Sequence, residues 1–202
     1  MKAFFKKNII TCLSVAISGA IMSDASIAAP RVTVQEYQYT VSGRTLDEIK
    51  QAISEQAPLK NDGNNFSALT KYDIGWNYTF DKSGKNCKID TVTTSVVVTH
   101  NFPKLQNVDL LDMTTKTEWE RYFASLQTHE KKHADLGIEA AGEIEKEIAK
   151  IKTQSSCTKL AIEANNLARR IISDYQNKNI DYDKETVHGM LQGATLSSFR
   201  TF

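Results

Sequence analysis

The sequence predicts an α+β fold: a small, mostly antiparallel sheet with one short helix, packed beside a C-terminal helical hairpin. Two observations carry that expectation. Between Val32 and His100 apolar residues recur at every second position in three stretches dense in Val, Thr and aromatics, the period of half-buried strands. From Thr115 onward the period lengthens to three and four, the spacing of amphipathic helices.

The first residues read as an address. Lys2, Lys6 and Lys7 precede an uncharged apolar run from Ile9 to Ile21, and Ser26-Ile27-Ala28 supplies the small residues that a signal peptidase requires. The run is about 13 residues, against the roughly 20 that a membrane-spanning helix needs, and no later run reaches that length. Residues 1–29 are therefore expected to be a cleaved signal peptide. Residues 30–202 would form a single periplasmic or secreted domain with no stable membrane anchor.

The strands and helices follow in order. Val32 to Val41 alternates apolar and polar residues and ends at Ser42-Gly43. Thr45 and Glu48 make a capping box for a short helix with Leu46, Ile49 and Ile53 on one face, and Pro58 closes it. Residues 61–65, Asn-Asp-Gly-Asn-Asn, read as a loop. Leu69 to Phe80 places Tyr72, Ile74, Trp76 and Tyr78 at period two, and a turn at residues 81–84 leads to a strand from Lys88 to His100 that Phe102-Pro103 should stop. Thr115 and Glu118 form a second capping box, opening a helix whose stripe runs from Trp119 to Ile151, with Gly137 and Gly142 as possible bends. After Cys157 a second helix turns Leu160, Ala164, Leu167, Ala168, Ile171 and Tyr175 inward.

Charge and cysteines exclude some functions. Removing Lys2, Lys6, Lys7 and Asp24 from the 25 basic and 24 acidic residues leaves 22 and 23. That balance argues against nucleic acid as a partner, which would call for a clustered basic face. No amphipathic surface calls for an oligomer, and a monomer is expected. Cys87 and Cys157 remain after cleavage, and an even pair in an exported chain favours a disulfide. The bridge would close a loop of about 70 residues, worth roughly 4 kcal/mol in the chain-entropy account.

The chemistry concentrates in His129-Glu130-Lys131-Lys132-His133, an H-E-x-x-H pattern. Helical residues four apart differ by about 40° in direction and about 6 Å in height, so two imidazoles can reach one tetrahedral zinc ion. Glu130 then stands beside the open coordination position as a general base for water attacking a carbonyl. The plainer alternative is a pair of core histidines. It must desolvate two imidazoles and a carboxylate on an inward stripe, at several kcal/mol unless each finds a partner.

A catalytic zinc site needs a third protein ligand. In one known protease pattern a glycine and a third histidine follow at the positions held here by Leu136 and Glu139, so that spacing fails. Glu139, Glu143, Glu145 and Glu147 read as a solvated helix face, and His100 as a surface residue at a strand end. His188 lies in the polar segment 182–189, which has no apolar periodicity and looks like a site loop. His188 is the favoured third ligand, with Asp183 and a downstream Glu as alternatives. Tyr182 is a candidate oxyanion donor, set against simple packing, and Asp183 a candidate orienting partner for an imidazole.

The combination of Trp76, Cys87, the His129–His133 helix, Cys157, the Tyr182-Asp183…Thr186…His188-Gly189 segment and Gln192-Gly193-Ala194 resembles one bacterial family. It is the predicted secreted zinc-dependent protease family, also known as domain of unknown function nine-two-two. The resemblance runs from about Tyr37 to Ala194. It implies His129 and His133 as ligands of Zn2+, Glu130 as base and His188 as a site residue. The function expected is a metallopeptidase acting on a protein or peptide substrate, including cell-wall peptide. The alternative is a non-catalytic, zinc-stabilised envelope protein that serves as an interaction module.

Overall fold

The computed structural model describes residues 29–57, 60–61, 64–82 and 85–196. The expected leader up to Ala28, the helix stop at Pro58, the loop positions Asp62 and Gly63, and Ser83-Gly84 of the expected turn lie outside the described residues.

The architecture is α+β, with three long strands, three helices and a small two-stranded ladder. Strand β1 (Arg31–Val41) leads through helix α1 (Leu46–Gln56) and the short strands β2 (Lys60–Asn61) and β3 (Asn64–Asn65) into β4 (Leu69–Asp81). Strand β5 (Lys88–Leu105) follows, then α2 (Met113–Ala149) and α3 (Cys157–Thr186). The main sheet has the order β1-β5-β4.

The sheet is mixed rather than mostly antiparallel. β4 and β5 form the expected antiparallel hairpin, whereas β1 runs parallel to β5, with Arg31 beside Ser95 and Val41 beside Leu105. The chain leaves β1 and enters β4 at the same end of the sheet, and β5 inserts between the two strands. A strand that would have been an antiparallel neighbour of β4 becomes a parallel neighbour of β5. β5 also continues through Phe102-Pro103 to Leu105. β4 begins opposite Asn101, so beyond that point β5 has a ladder on one side only, where a proline is tolerated.

The capping box at Thr45 forms as its sequence requires, with the Glu48 amide donating to Thr45 Oγ1 at 3.3 Å and Glu48 Oε2 accepting from the Thr45 amide at 3.3 Å. The second box does not form. Asp112 caps α2 instead, accepting from the Thr115 amide at 3.0 Å and its hydroxyl at 2.7 Å, so the helix starts earlier than Thr115 suggested. Glu118 is left for Arg121, which it holds through both carboxylate oxygens at 2.7 and 2.8 Å.

The buried stripe of α2 is interrupted by chemistry and not by a bend. Trp119, Tyr122 and Leu126 join a cluster with Val41, Ile49 and Phe102 at the α1 end. Leu136, Ala140, Ile144 and Ile148 pack on Ala164, Ala168, Ile171 and Tyr175 of α3. His129, Glu130 and His133 are buried between these two cores. Helix α2 is continuous over its 37 residues. Gly137 serves close approach: a Cβ there would lie 2.5 Å from the Tyr72 ring. Glu145, expected on the solvated face, is buried and accepts from the amide and hydroxyl of Thr94 at 3.1 and 2.8 Å. These bonds tie mid-α2 to the central strand and satisfy an anion that would otherwise be costly to bury.

Cys87 and Cys157 are joined, as expected. Cys87 also exchanges backbone hydrogen bonds with Gln154 at 2.8 and 2.9 Å, so the β4–β5 hairpin is fastened to the turn between α2 and α3.

Candidate metal centre

A cleft of about 1510 Å3 opens between the start of β4, the middle of α2 and the last turns of α3. His129 and His133 project into it one turn apart on α2, with their ring centroids 4.8 Å apart. Their Nε2 atoms stand 3.2 Å from each other. Asp183 Oδ1 completes a triangle, 3.1 Å from the first Nε2 and 3.0 Å from the second. These three side chains are the group among the described residues whose ligand atoms converge closely enough to hold a metal ion.

Each imidazole is oriented from behind. His129 Nδ1 lies 2.9 Å from Gln192 Oε1, and His133 Nδ1 lies 2.6 Å from Asn179 Oδ1. An amide oxygen accepts, so each Nδ1 carries a proton, and in the neutral ring each Nε2 presents a lone pair to the shared point. Two lone pairs and a carboxylate oxygen so close together repel unless a cation lies among them. Burial alone would lower the His133 pKa. The hydrogen bonds to Asp183 and Asn179, with the charges of Asp183 and Glu130, outweigh burial and raise it. Burial would raise Asp183, but hydrogen bonds from His129 and His133 and the charges of His133 and His188 hold its carboxyl far below the ordinary range. Both shifts favour positive charge at the centre of the triangle.

Glu130 sits beside this point on the same helical turn. It is buried, and its Oε2 has no hydrogen-bond partner among the described residues. A buried carboxylate oxygen without a donor costs several kcal/mol, which a structural role would not explain. Its backbone carbonyl accepts from Thr70 Oγ1 at 3.2 Å. Thr70 has one hydroxyl proton, so the 2.8 Å contact with His100 Nδ1 runs the other way, with the imidazole donating. His100 of β5 is therefore tied to Thr70 of β4, which in turn reaches α2, more than the surface residue its strand-end position suggested.

The segment 182–189 is not the irregular loop expected. Tyr182 and Asp183 lie in the last turns of α3, and the chain turns only at Val187, His188 and Gly189, all with positive φ. His188 lies at the rim, 54% exposed, with Nδ1 3.6 Å from Asp183 Oδ1 and its ring 5.1 Å from Phe66. It therefore stands outside the triangle that Asp183 completes. Tyr182 stacks on His129 with centroids 4.9 Å apart, and its hydroxyl donates to Gln192 Oε1 at 3.0 Å. Burial raises its pKa against the opposing effect of the contact with Gln192, so the hydroxyl stays protonated as the donor. That hydroxyl is aimed at Gln192, so the ring steadies His129 where an oxyanion donor was expected.

Asn179 was missed by sequence reasoning, and Gln192 entered it only within the family resemblance, with no role at the site. For Asn179 the signal was present: the α3 stripe Ala164, Ala168, Ile171 and Tyr175 continues four residues on to Asn179 and four more to Asp183. Polar residues at core spacing mark a stripe that has left the core and entered a site, as they do on α2. Asn179 also donates to the Tyr72 hydroxyl at 2.8 Å, and Tyr72 lies over Gly137. Gly137→Ala is thus expected to push Tyr72 and Asn179 off His133. Overpacking of this kind costs about 1–3 kcal/mol. Denaturant unfolding should show that loss, and an unchanged midpoint would refute the contact.

The fold and the site together define an α+β protein whose two long helices bring two histidines, a glutamate and an aspartate to one point. Residues 37–189 match the family described as "Bacterial protein of unknown function (DUF922)", and the chain belongs to that family. The matched stretch contains both cysteines and every residue of the triangle. Neither a search of curated proteins nor one of solved structures finds a match.

Proposed function

We propose that this protein is an exported zinc-dependent hydrolase that cleaves peptide (amide) bonds, with His129, His133 and Asp183 as ligands and Glu130 as general base. Ligand atoms 2.0–2.1 Å from a tetrahedral zinc ion lie about 3.3 Å from one another. The three edges here, 3.0, 3.1 and 3.2 Å, suit that polyhedron. The observation that carries the catalytic reading is the buried Oε2 of Glu130, without a partner among the described residues, on the same turn as the two histidines.

Zn2+ held by His129, His133 and Asp183 would supply Lewis acidity, which lowers the pKa of bound water to about 7. Glu130 Oε2 takes the proton as water adds to the substrate carbonyl, then returns it to the departing amine nitrogen. Asp183 would offset part of the ion's charge and the two neutral imidazoles would complete its shell, none of them competing for that proton. The cleft of about 1510 Å3 beside them has room for part of a peptide chain, and the substrate class proposed is protein or peptide, cell-wall peptide included. The disulfide supports an oxidising compartment, periplasmic or external, and no described helix is long and apolar enough to cross a membrane.

Treatment of the purified protein with a strong chelator should abolish hydrolysis of a general protein substrate such as casein. One equivalent of Zn2+ per chain should restore it. Activity that survives complete metal removal would overturn the reading.

One observation favours a second reading, a non-catalytic protein with a closed zinc site. His188 is exposed and its Nδ1 is 3.6 Å from Asp183 Oδ1, close enough to enter as a fourth ligand by a small rotation. X-ray absorption of the zinc-loaded protein separates the two: two imidazoles with a water oxygen support the hydrolase, three imidazoles the closed site.

A further inference from the structure

Arg121 touches neither the cleft chemistry nor the triangle, yet its contacts converge on them. The guanidinium donates through Nε and Nη2 to Glu118 at 2.8 and 2.7 Å. The Glu118 side chain is 1% exposed, so the fork is fixed from within the protein. The remaining donors reach across to the chain after α3: Nη1 to the Gly193 carbonyl at 2.8 Å and Nη2 to the Thr195 carbonyl at 2.6 Å. A Cβ at Gly193 would lie 2.9 Å from that Nη1, and its φ of 91° suits glycine.

Between α3 and these two carbonyls lies a strap, residues 187–195, that includes the turn Met190–Gln192. Within it the Gln192 amide donates to Gly189 O at 2.9 Å and the Ala194 amide to the same oxygen at 3.0 Å, so it moves as one piece. Gln192 Oε1 is the atom that accepts from both His129 Nδ1 and the Tyr182 hydroxyl. Leu196, buried at the end of the strap, anchors it in the α1-side core by apolar contact, which does not fix rotation. A planar fork bonded to two carbonyls does.

We propose that Arg121 is a positioning residue for the metal centre. Held by Glu118, it fixes the strap so that Gln192 locks His129 in the tautomer whose Nε2 is free to bind metal. The inference rests on the zinc reading for its consequence, and on the hydrogen bonds alone for its geometry.

The test uses the full mature chain and two readouts. In metal-free protein labelled with 15N-histidine, long-range 1H–15N spectra should show His129 wholly in the Nδ1–H form. Arg121→Lys retains a cation for Glu118, yet its single ammonium cannot reach both carbonyls. That variant should shift His129 toward a tautomer mixture and weaken zinc affinity about 10- to 100-fold, the usual effect of losing an outer orienting partner. Gln192→Ala should do the same, and combining the two should add little, because they act through one contact. If Arg121→Lys fails to fold, the paired change Glu118→Gln with Arg121→Gln removes both charges and carries the same expectation. An unaltered tautomer and unaltered affinity, or additive losses in the double variant, overturn the proposal. A wild-type chain that takes up no zinc while its His129 tautomer still depends on Arg121 overturns the zinc reading and leaves the positioning role standing.

Discussion

Replacing Glu130 with Gln is expected to leave one zinc ion bound per chain and to lower hydrolysis about 10²- to 10⁴-fold. The amide keeps the size and burial of the carboxylate, so the two flanking histidines should stay in place. What it loses is the capacity to take a proton from water. Glu130 Oε2 is buried without a donor, and exchanging an unpaired buried anion for a neutral group is seldom destabilising. The thermal midpoint should therefore hold or rise while activity falls. Metal analysis and initial rates on the same preparation decide the point. Full activity in this variant refutes the base, and loss of zinc would make Glu130 a ligand instead.

The second large effect separates two candidate third ligands. Asp183→Asn should strip zinc binding by more than the 10- to 100-fold typical of outer partners, because the amide removes the negative oxygen that faces both Nε2 atoms. His188→Ala should change zinc affinity little, since that ring lies at the rim and is 54% exposed. Competition with a chromophoric chelator measures both variants. The reverse order, with His188→Ala strongly impaired and Asp183→Asn mild, would restore the ligand set that sequence alone favoured.

That contrast shows where the sequence is legible. The histidine helix declares itself because its pattern is local: two histidines and a glutamate share one turn, and helical geometry follows from spacing. The sheet strands and α1 are equally visible, since alternation and a capping box are short-range signals. Asp183 was harder, because its partners are about 50 positions away and the end of α3 faces a cleft. A helix end that lines a cleft loses its apolar period, and residues 182–186 looked like loop for that reason. Glu145 misled in the opposite direction. A row of glutamates reads as a wet face, and only the position of Thr94 on β5 reveals that one of them turns inward. The parallel pairing of β1 is likewise not written locally, since it depends on which strand inserts between which.

The two long helices are joined covalently at one extremity only, through the turn at residues 150–156 and the Cys87–Cys157 bridge that fastens it to the sheet. The histidines lie about 24–30 Å from that extremity at 1.5 Å per residue. A cation bridging mid-α2 to the last turns of α3 there would act as a clasp on the far end of α3. Without it, that end would fray before the staple end, exposing the strap to proteolysis. Supply of the ion, as much as the bridge, would then govern how long this protein survives.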